Sequence, residues 1–417
     1  MEREWIIAVA TAAAVLSSAT GPAASEGSGP TPAREQVAVQ SPRSATVPFA
    51  LDHNRMIVGV EFVRPDGTIR RASAWVDTGN QFFMLSEPLA RELGLEVSMP
   101  EGGNLQYPIG QASGTPQVRL GGVTLDTEGI GTKVLLSGRA MPGLPAEANL
   151  PATTLRHDVF VLDYPRRTLT VARPGVLKPR GRAVPCRVNP STGLFQIAAT
   201  IDGEAVELAV DNGASYTWVS NGLVAAWQAR HPDWPRATGA VGAASFFGFP
   251  FEAQGVLMRL PELRIGHFAA RHVGVVGLDQ ALFDWYSTKT PGAVAGLIGA
   301  NVLRGYRITL DLPNQVTYWQ AGPAPEANDL DTVGLTLRPE TDGSYTIVGV
   351  AAKNDKPTVD GVVAGDRLVQ VGSFATQGAS MGAVATALRG TPGTVRSLAV
   401  ERDGKRQVVE ATVTRFP

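Results

Sequence analysis

The sequence predicts a mainly β protein with two homologous lobes and a smaller third unit. Three observations support this prediction. The 417 residues include 46 glycines and 30 prolines but few aromatic residues, which is typical of short strands joined by many turns. Two short segments each place an aspartate, Asp77 and Asp211, directly after an apolar run. Other landmarks recur in the same order around these two aspartates, which indicates an internal duplication.

Charge, histidine and cysteine usage argue against several classes of function. The formal net charge is −1, from 37 basic and 38 acidic residues, so we expect no surface for nucleic acid or an anionic membrane. The five histidines form no metal-like cluster, and no nucleotide-binding motif stands in a βαβ context. We therefore expect neither a metal nor another cofactor. The lone Cys186 excludes an internal disulfide.

The N-terminal segment is predicted to be separate from the fold. Residues 5–16 form an apolar stretch of 12, too short to span a bilayer comfortably, and small residues follow up to Ala24. This pattern predicts a signal peptide over residues 1–24 and hence an exported protein, periplasmic or secreted. An uncleaved anchor, which would place the protein at a membrane, and a start site assigned too early are the alternatives. Residues 25–47 lack apolar periodicity and are predicted to form a flexible linker.

The duplication rests on three pairs of landmarks. They are Asp77 with Asp211, Gly121 with Gly266, and Asp163 with Asp311. Their offsets are 134 (211 − 77), 145 (266 − 121) and 148 (311 − 163) residues, and a slow growth of this kind is explained by a few loop insertions. The sequence therefore predicts one lobe over residues 48–175 and a second over residues 176–325, each of ordinary domain size.

Local signals within the two lobes also correspond. Asp66-Gly67 and Asp202-Gly203 each lie between β-rich runs and predict hairpins whose second strands end at the aspartates. A second apolar run follows each aspartate and ends at Ser86 or Ser220, which we expect to cap a short helix.

A family resemblance is carried by Asp77-Thr78-Gly79, Asp211-Asn212-Gly213 and the later segment 296–299. Residues 48–322 resemble the pepsin and retropepsin superfamily of aspartic proteases, in the bacterial form with both lobes on one chain. The resemblance implies two β-barrel lobes related by a pseudo-twofold axis, with Asp77 and Asp211 as the catalytic dyad. It also implies a peptide or protein substrate. Two lobes on one chain remove the need for a dimer, so we expect a monomer.

Elementary acid–base chemistry also favours two aspartates with glycines beside them at such a site. Two neighbouring carboxyl groups cannot both ionise cheaply, so one keeps a proton while the other acts as a base towards water. Gly79 and Gly213 allow close backbone approach. The Thr78 hydroxyl is expected to brace the loop, whereas Asn212 stands where the family has Thr or Ser, so the matching brace is either missing or replaced by an amide. Pro151 occupies the position that matches Gly299. The alternative to a protease is a catalytically inactive peptide-binding or scaffold protein of the cell envelope.

The family also has a hairpin flap that covers the cleft. The candidate is residues 104–114, with Tyr107 and Gly110 as its notable members. Residues 238–248 are the corresponding stretch of the second lobe. Either stretch could close over a substrate or form an ordinary surface hairpin.

The C-terminal residues 330–417 resemble a PDZ domain. The segments that carry this resemblance are 364–369, 388–393 and 401–404. PDZ domains add an extended peptide as a strand beside their first strand. By resemblance, the loop that receives the peptide terminus is Gly334, Leu335, Thr336 and Leu337, which departs from the usual Gly-Leu-Gly-Phe. The alternative is a domain that only packs on the two lobes.

Overall fold

The computed structural model describes residues 41–99, 108–136, 141–239, 253–323 and 329–417. The predicted signal peptide or anchor over residues 1–24, residues 25–40 of the predicted linker, and Tyr107 lie outside these ranges. Among the described residues, no helix is both long and apolar enough to cross a membrane.

The protein is mainly β, as the sequence predicted. The strands of the first lobe are β1 Ser44–Asp52, β2 Arg55–Val63, β3 Ile69–Asp77, β4 Phe83–Ser86, β5 Val97–Ser98, β6 Ile109–Ala112, β7 Val118–Leu120, β8 Val123–Thr124, β9 Thr132–Leu135, β10 Ala148–Pro151, β11 Val159–Asp163 and β12 Thr168–Ala172. Its helices are α1 Glu87–Glu92 and the 3₁₀ helix Ala152–Leu155.

The second lobe repeats this arrangement. Its strands are β13 Arg182–Pro185, β14 Arg187–Val188, β15 Phe195–Ile201, β16 Glu204–Val210, β17 Thr217–Ser220, β18 Arg236–Thr238, β19 Val256–Ile265, β20 Phe268–Leu278, β21 Gly296–Ile298, β22 Tyr306–Asp311 and β23 Val316–Ala321. Its helices are α2 Asn221–Arg230, α3 Gln280–Ser287, α4 Ala300–Leu303 and the 3₁₀ helix Leu312–Asn314.

Residues 329–417 form a C-terminal module. Its strands are β24 Asp331–Thr332, β25 Leu335–Pro339, β26 Tyr345–Val350, β27 Ala352–Lys353, β28 Lys356–Pro357, β29 Arg367–Val371, β30 Phe374–Ala375, β31 Val395–Arg402, β32 Lys405–Thr412 and β33 Thr414–Arg415, and its helix is α5 Met381–Leu388. Its last two long strands, β31 and β32, form an antiparallel hairpin.

The start of the first lobe corrects one predicted boundary. The sequence placed residues up to 47 in a flexible linker, but Ser44 already belongs to β1. Residues 44–48 of β1 pair with β12, and residues 49–52 pair with β2. The linker prediction failed here because residues 44–47 show no apolar periodicity in the sequence, whereas the ladder to β12 holds them in the strand.

The duplication is visible in the order of strands. The first lobe has the central order β2-β3-β10-β4-β9, and the second has β15-β16-β21-β17-β20. In each lobe the strand that leads to the aspartate is parallel to a later strand, with Leu150 opposite Val76 and Ile298 opposite Val210. In the second lobe, β19 also pairs with β15, so this sheet closes into a barrel.

A six-stranded array joins the lobes in the palindromic order β13-β23-β22-β11-β12-β1. At its centre, β11 and β22 pair antiparallel, with Val161 opposite Thr309. These two residues differ by 148 positions, which is the offset of the repeat, so each pairs with its own counterpart. The register is therefore symmetric about this point, as a local twofold axis requires.

The predicted hairpins and caps are also present. β2 pairs with β3 and β15 pairs with β16, each antiparallel. Ser86 caps α1 by accepting from the Leu89 N–H, and Ser220 caps α2 by accepting from the Leu223 N–H. The same local chemistry therefore begins the equivalent helix in both lobes.

The C-terminal module has its own apolar core but is docked on both lobes. Its main sheet has the order β25-β26-β29-β31-β32. β27 pairs with β18 of the second lobe, with Ala352 opposite Thr238. On the first lobe, the Gly143 carbonyl accepts from the Met381 N–H at 2.8 Å.

Candidate active site

Two strands deliver Asp77 and Asp211 to the boundary between the lobes. β3 ends at Asp77, and Asp211 follows β16 directly. Each strand has a parallel neighbour, β10 or β21, that continues alongside it. Asp77 is 6% exposed and Asp211 is 8% exposed. Both carboxyl groups are therefore largely removed from water.

The two aspartate loops interlock through their glycines. A Cβ built on Gly79 would overlap the carboxyl group of Asp211. A Cβ built on Gly213 would overlap the Asp77 carboxyl group, with the Cγ atom only 2.8 Å away. Each carboxyl group therefore lies against the glycine of the other loop. The absence of a side chain at both positions is what lets the two aspartates approach.

Backbone donors hold one oxygen of each carboxyl group. The Gly79 N–H donates to Asp77 Oδ1 at 3.1 Å, and the Gly213 N–H donates to Asp211 Oδ1 at 2.8 Å. Asp211 Oδ1 also accepts from the Ala214 N–H at 3.1 Å. These bonds fix the plane of each carboxyl group and favour its charged form.

Burial dominates the titration of this pair. It raises the pKa of Asp77 well above its usual value, and the negative charge of Asp211 raises it further. Burial also raises the pKa of Asp211, to about 6, against the opposing backbone donors of Gly213 and Ala214. Since two neighbouring carboxylates repel each other, the pair passes through a state with one shared proton before both groups ionise.

A reciprocal clasp braces the two loops. Thr78 Oγ1 donates to the Val210 carbonyl at 2.8 Å and accepts from the Asn212 N–H at 3.0 Å. In return, Asn212 Oδ1 accepts from the Thr78 N–H at 2.8 Å. The sequence left open whether the matching brace in the second loop is missing or replaced by an amide. The Asn212 amide takes this place. The Asn212 amide also faces the buried Tyr164 hydroxyl and opposes the rise in its pKa that burial causes.

Pro151 takes the place of a glycine without disturbing the first loop. Pro151 has φ −74° and ψ 162°, and Gly299 has φ −88° and ψ 174°. Proline fits this backbone because its ring fixes φ near −65°. A Cβ on Gly299 would overlap the Tyr216 backbone, so the glycine is needed only in the second lobe.

The segment after each of these residues still anchors its aspartate loop. The Ala152 N–H donates to the Asn80 carbonyl at 2.8 Å, and the Ala300 N–H donates to the Ala214 carbonyl at 2.8 Å.

Arg55 is a charged residue of this site that the sequence interpretation missed. Its side chain is fully buried, and Nε donates to the Gly213 carbonyl at 2.8 Å. Its positive charge opposes the rise in the pKa of both Asp77 and Asp211. An arginine at the start of the apolar run of β2 was the signal that could have identified it.

Tyr286 was also missed. Its hydroxyl, which belongs to the second lobe, donates to the Gly79 carbonyl of the first lobe at 2.8 Å. Burial raises the pKa of this phenol well above its usual value, and the charges of Asp211 and Asp77 add to the effect. Nothing in the sequence distinguishes Tyr286 from its neighbour Trp285, so only the fold reveals the contact.

The flap remains a prediction. Gly110 lies in β6, which pairs with β5 and β9. Tyr107 lies outside the described residues, as do residues 240–248 of the corresponding stretch in the second lobe.

The predicted peptide-binding loop of the C-terminal module lies apart from the two aspartates. Gly334 has a positive φ of 83° directly before β25, and Leu335 and Leu337 are each 2% exposed. Leu335 and Leu337 line a cavity of about 1020 Å³ that also borders α5 and turns of both lobes. The groove beside β25 therefore faces the two lobes.

No cluster of three or more potential metal ligands occurs within the described ranges. Independently of this, two buried carboxyl groups that lie against each other's loops can accept and donate a proton.

The likeness of this chain to known proteins is found in structure and not in sequence. No protein-family model matches the chain, and no curated protein matches it. Among solved structures, the chain is similar to an aspartic proteinase from Irpex lacteus. The sequence identity is 13% and the TM-score is 0.39, over 67% of this chain and 98% of that one.

Proposed function

We propose that the protein is an aspartic endopeptidase with a pepsin-like pair of lobes. The observation that carries this proposal is the reciprocal packing of each aspartate carboxyl group against the glycine of the other loop. Two buried carboxyl groups in this arrangement share one proton. The raised pKa values of both groups support that role.

The proposed reaction needs no covalent intermediate. The ionised carboxyl group takes a proton from a water molecule, whose oxygen attacks the peptide carbonyl carbon. The protonated carboxyl group donates its proton to the carbonyl oxygen, which gives a neutral gem-diol. The gem-diol then returns a hydroxyl proton to the ionised carboxyl group. At the same time the protonated carboxyl group donates its proton to the amide nitrogen, and the C–N bond breaks. Water is consumed, the dyad ends with one proton, and neither aspartate has a permanent role.

The test is cleavage by the full chain. Purified protein is incubated with a quenched peptide library between pH 3 and 8, beside the D77N and D211N variants. We expect cleavage at mildly acidic pH, a decline at higher pH as the pair loses its remaining proton, and inhibition by statine-type compounds. Both variants should lose turnover and keep the fold. Retained cleavage by D77N would contradict the proposed dyad.

The same experiment separates the protease from the inactive peptide-binding alternative. If the wild-type protein binds library peptides but cleaves none under any condition, the alternative is correct. Measuring binding by fluorescence anisotropy alongside cleavage distinguishes the two outcomes.

We further propose that the C-terminal module is a peptide-binding domain of the PDZ type. Its edge strand β25, the Gly334 turn before that strand and the neighbouring helix α5 support this assignment. The inward orientation of the groove favours a ligand that reaches the cavity between module and lobes. Titration with peptides that end in an apolar residue and a free carboxylate tests the assignment, and amidated copies serve as controls.

Export and a monomeric state belong to the same proposal. Fractionation of cells and sedimentation of the purified protein test them directly. Recovery only from the membrane fraction would indicate an uncleaved N-terminal anchor.

A further inference from the structure

Tyr286 is held in place by a well-anchored helix. Asp279 caps α3 by accepting from the Ala281 N–H at 2.8 Å, and Phe283 of the same helix is fully buried. Beyond the helix, the Lys289 N–H donates to the Tyr286 carbonyl at 2.8 Å. Tyr286 itself is 6% exposed. Its side chain therefore projects from a fixed backbone position.

The hydroxyl of Tyr286 binds the residue that touches both carboxyl groups. It donates to the Gly79 carbonyl at 2.8 Å, across the boundary between the lobes. The Gly79 N–H donates to Asp77 Oδ1. On the side of its Cα where a Cβ would stand, Gly79 lies against the Asp211 carboxyl group. The Tyr286 hydroxyl and the Asp77 carboxyl group thus hold Gly79 through its carbonyl and its N–H.

The phenol is suited to a permanent donor role. It lies close enough to both aspartates for their charges to raise its pKa, in addition to the effect of burial. A neutral phenol keeps its proton throughout the pH range in which the carboxyl groups titrate. Among the described residues, the charge of Arg55 and the titration of Tyr164 are also coupled to the aspartates.

We infer that Tyr286 is a positioning residue of the active site: its hydroxyl fixes the Gly79 peptide and thereby the spacing between Asp77 and Asp211. This inference rests on the proposed function, since a positioning role in catalysis presupposes that the two aspartates catalyse. A displacement of the order of 1 Å between reacting groups can lower turnover by about a hundredfold. A single hydrogen bond to Gly79 is thus enough to matter.

The test compares two tyrosine-to-phenylalanine variants of the full chain. Y286F removes the hydroxyl bond to Gly79 and keeps the ring. Y345F is the matched control, because the buried Tyr345 hydroxyl also donates to a backbone carbonyl, that of Ala379, at 2.7 Å. Tyr345 lies in the C-terminal module. The two variants should lose a similar amount of thermal stability, so a difference in turnover reports on position and not on folding.

The expected result is a split between kinetic parameters. We expect Y286F to lower kcat by about tenfold with a KM change below about threefold, while Y345F keeps the wild-type kcat. A second readout is titration of the aspartates by NMR of carboxyl carbons labelled with ¹³C. Because a looser Gly79 lets the two carboxyl groups separate, their apparent pKa values should move closer together in Y286F and stay unchanged in Y345F.

The outcomes separate the two proposals. If Y286F matches Y345F in both kcat and titration, the positioning role is wrong even though the protease proposal stands. If the wild-type protein cleaves nothing, the protease proposal fails and the titration decides alone. A narrower separation of the two pKa values in Y286F then supports control of the spacing by Tyr286, and an unchanged separation overturns it.

Discussion

The raised pKa of Asp211 makes the stability of the protein depend on pH in a defined direction. A carboxyl group whose pKa is higher in the folded state stabilises the fold below its unfolded pKa. For Asp211 this contribution is complete below about pH 3.8 and is lost as the pH rises through about 6. The fold therefore carries a cost at neutral pH that the proposed chemistry requires.

The D211N variant measures that cost. Asparagine cannot ionise, so the variant should gain stability relative to wild type between pH 4 and pH 8, by on the order of 2–3 kcal/mol. Urea unfolding at both pH values gives the difference.

Burial and the charges of Arg55 and Arg389 lower the pKa of His53 to about 3, which destabilises the fold as the pH falls below about 6.5. That effect is common to both proteins and cancels. An equal stability difference at pH 4 and pH 8 would contradict the raised pKa.

Gly79 offers a second prediction at the scale of one residue. In G79A the new methyl group overlaps the Asp211 carboxyl group, so we expect loss of turnover and about 1–3 kcal/mol of destabilisation. G59A is the control, because a Cβ at Gly59 meets no atom within 4 Å. Thermal melts and peptide cleavage check both. Wild-type activity in G79A would mean that the Asp211 carboxyl group does not lie in close contact with Gly79.

The clasp between the aspartate loops is the element that joins the lobes beneath the dyad. The Thr78 hydroxyl accepts from the Asn212 N–H, and the Asn212 amide oxygen accepts from the Thr78 N–H. The two N–H donors occupy equivalent positions in the two repeats. Both residues are buried, so neither donor can turn to water instead. Divergence between the repeats has changed the acceptor and preserved the bond.

Two variants at position 212 test this reading. N212A leaves the buried Thr78 N–H without its acceptor and should cost about 1–3 kcal/mol. N212T restores an oxygen in the position equivalent to the Thr78 hydroxyl, and we expect it to be at least as stable as wild type. Urea unfolding of the three proteins gives the comparison. Equal stability of N212A and N212T would show that the side-chain oxygen is not needed.

Local patterns predicted the elements that local chemistry decides. The two Asp-Gly turns, the capping serines and the apolar runs are all readable within a few residues, and their strands and helices occur where the sequence places them. Arg55 and Tyr286 were not readable in this way, because they meet the aspartate loops from 158 and 207 positions away in the chain. The inward orientation of the groove beside β25 depends on docking between module and lobes, which no local pattern encodes.

On the scale of the whole molecule, one turn connects the C-terminal module to the aspartate loop of the second lobe. Asp52 accepts from the Ser380 hydroxyl and from the Gly382 N–H, the latter at 2.9 Å, so it caps α5 from outside the module. Within the next three residues, the Asn54 amide donates to the Ser215 carbonyl at 3.1 Å and Arg55 donates to the Gly213 carbonyl at 2.8 Å. Positions 52 to 55 therefore contact the module on one side and the loop of Asp211 on the other.

This connection predicts that loosening the module affects the dyad. In D52A, α5 loses its external carboxylate at the first turn, where a negative charge is stabilising. We expect faster hydrogen exchange at the α5 amides and, because the turn also carries Arg55, a fall in kcat/KM of about threefold to tenfold. The control is D360A, which removes an exposed carboxylate from the same module. Faster exchange in D52A together with unchanged kcat/KM would show that the module is docked at this turn without influencing the dyad, and unchanged exchange would show that Asp52 does not hold the module.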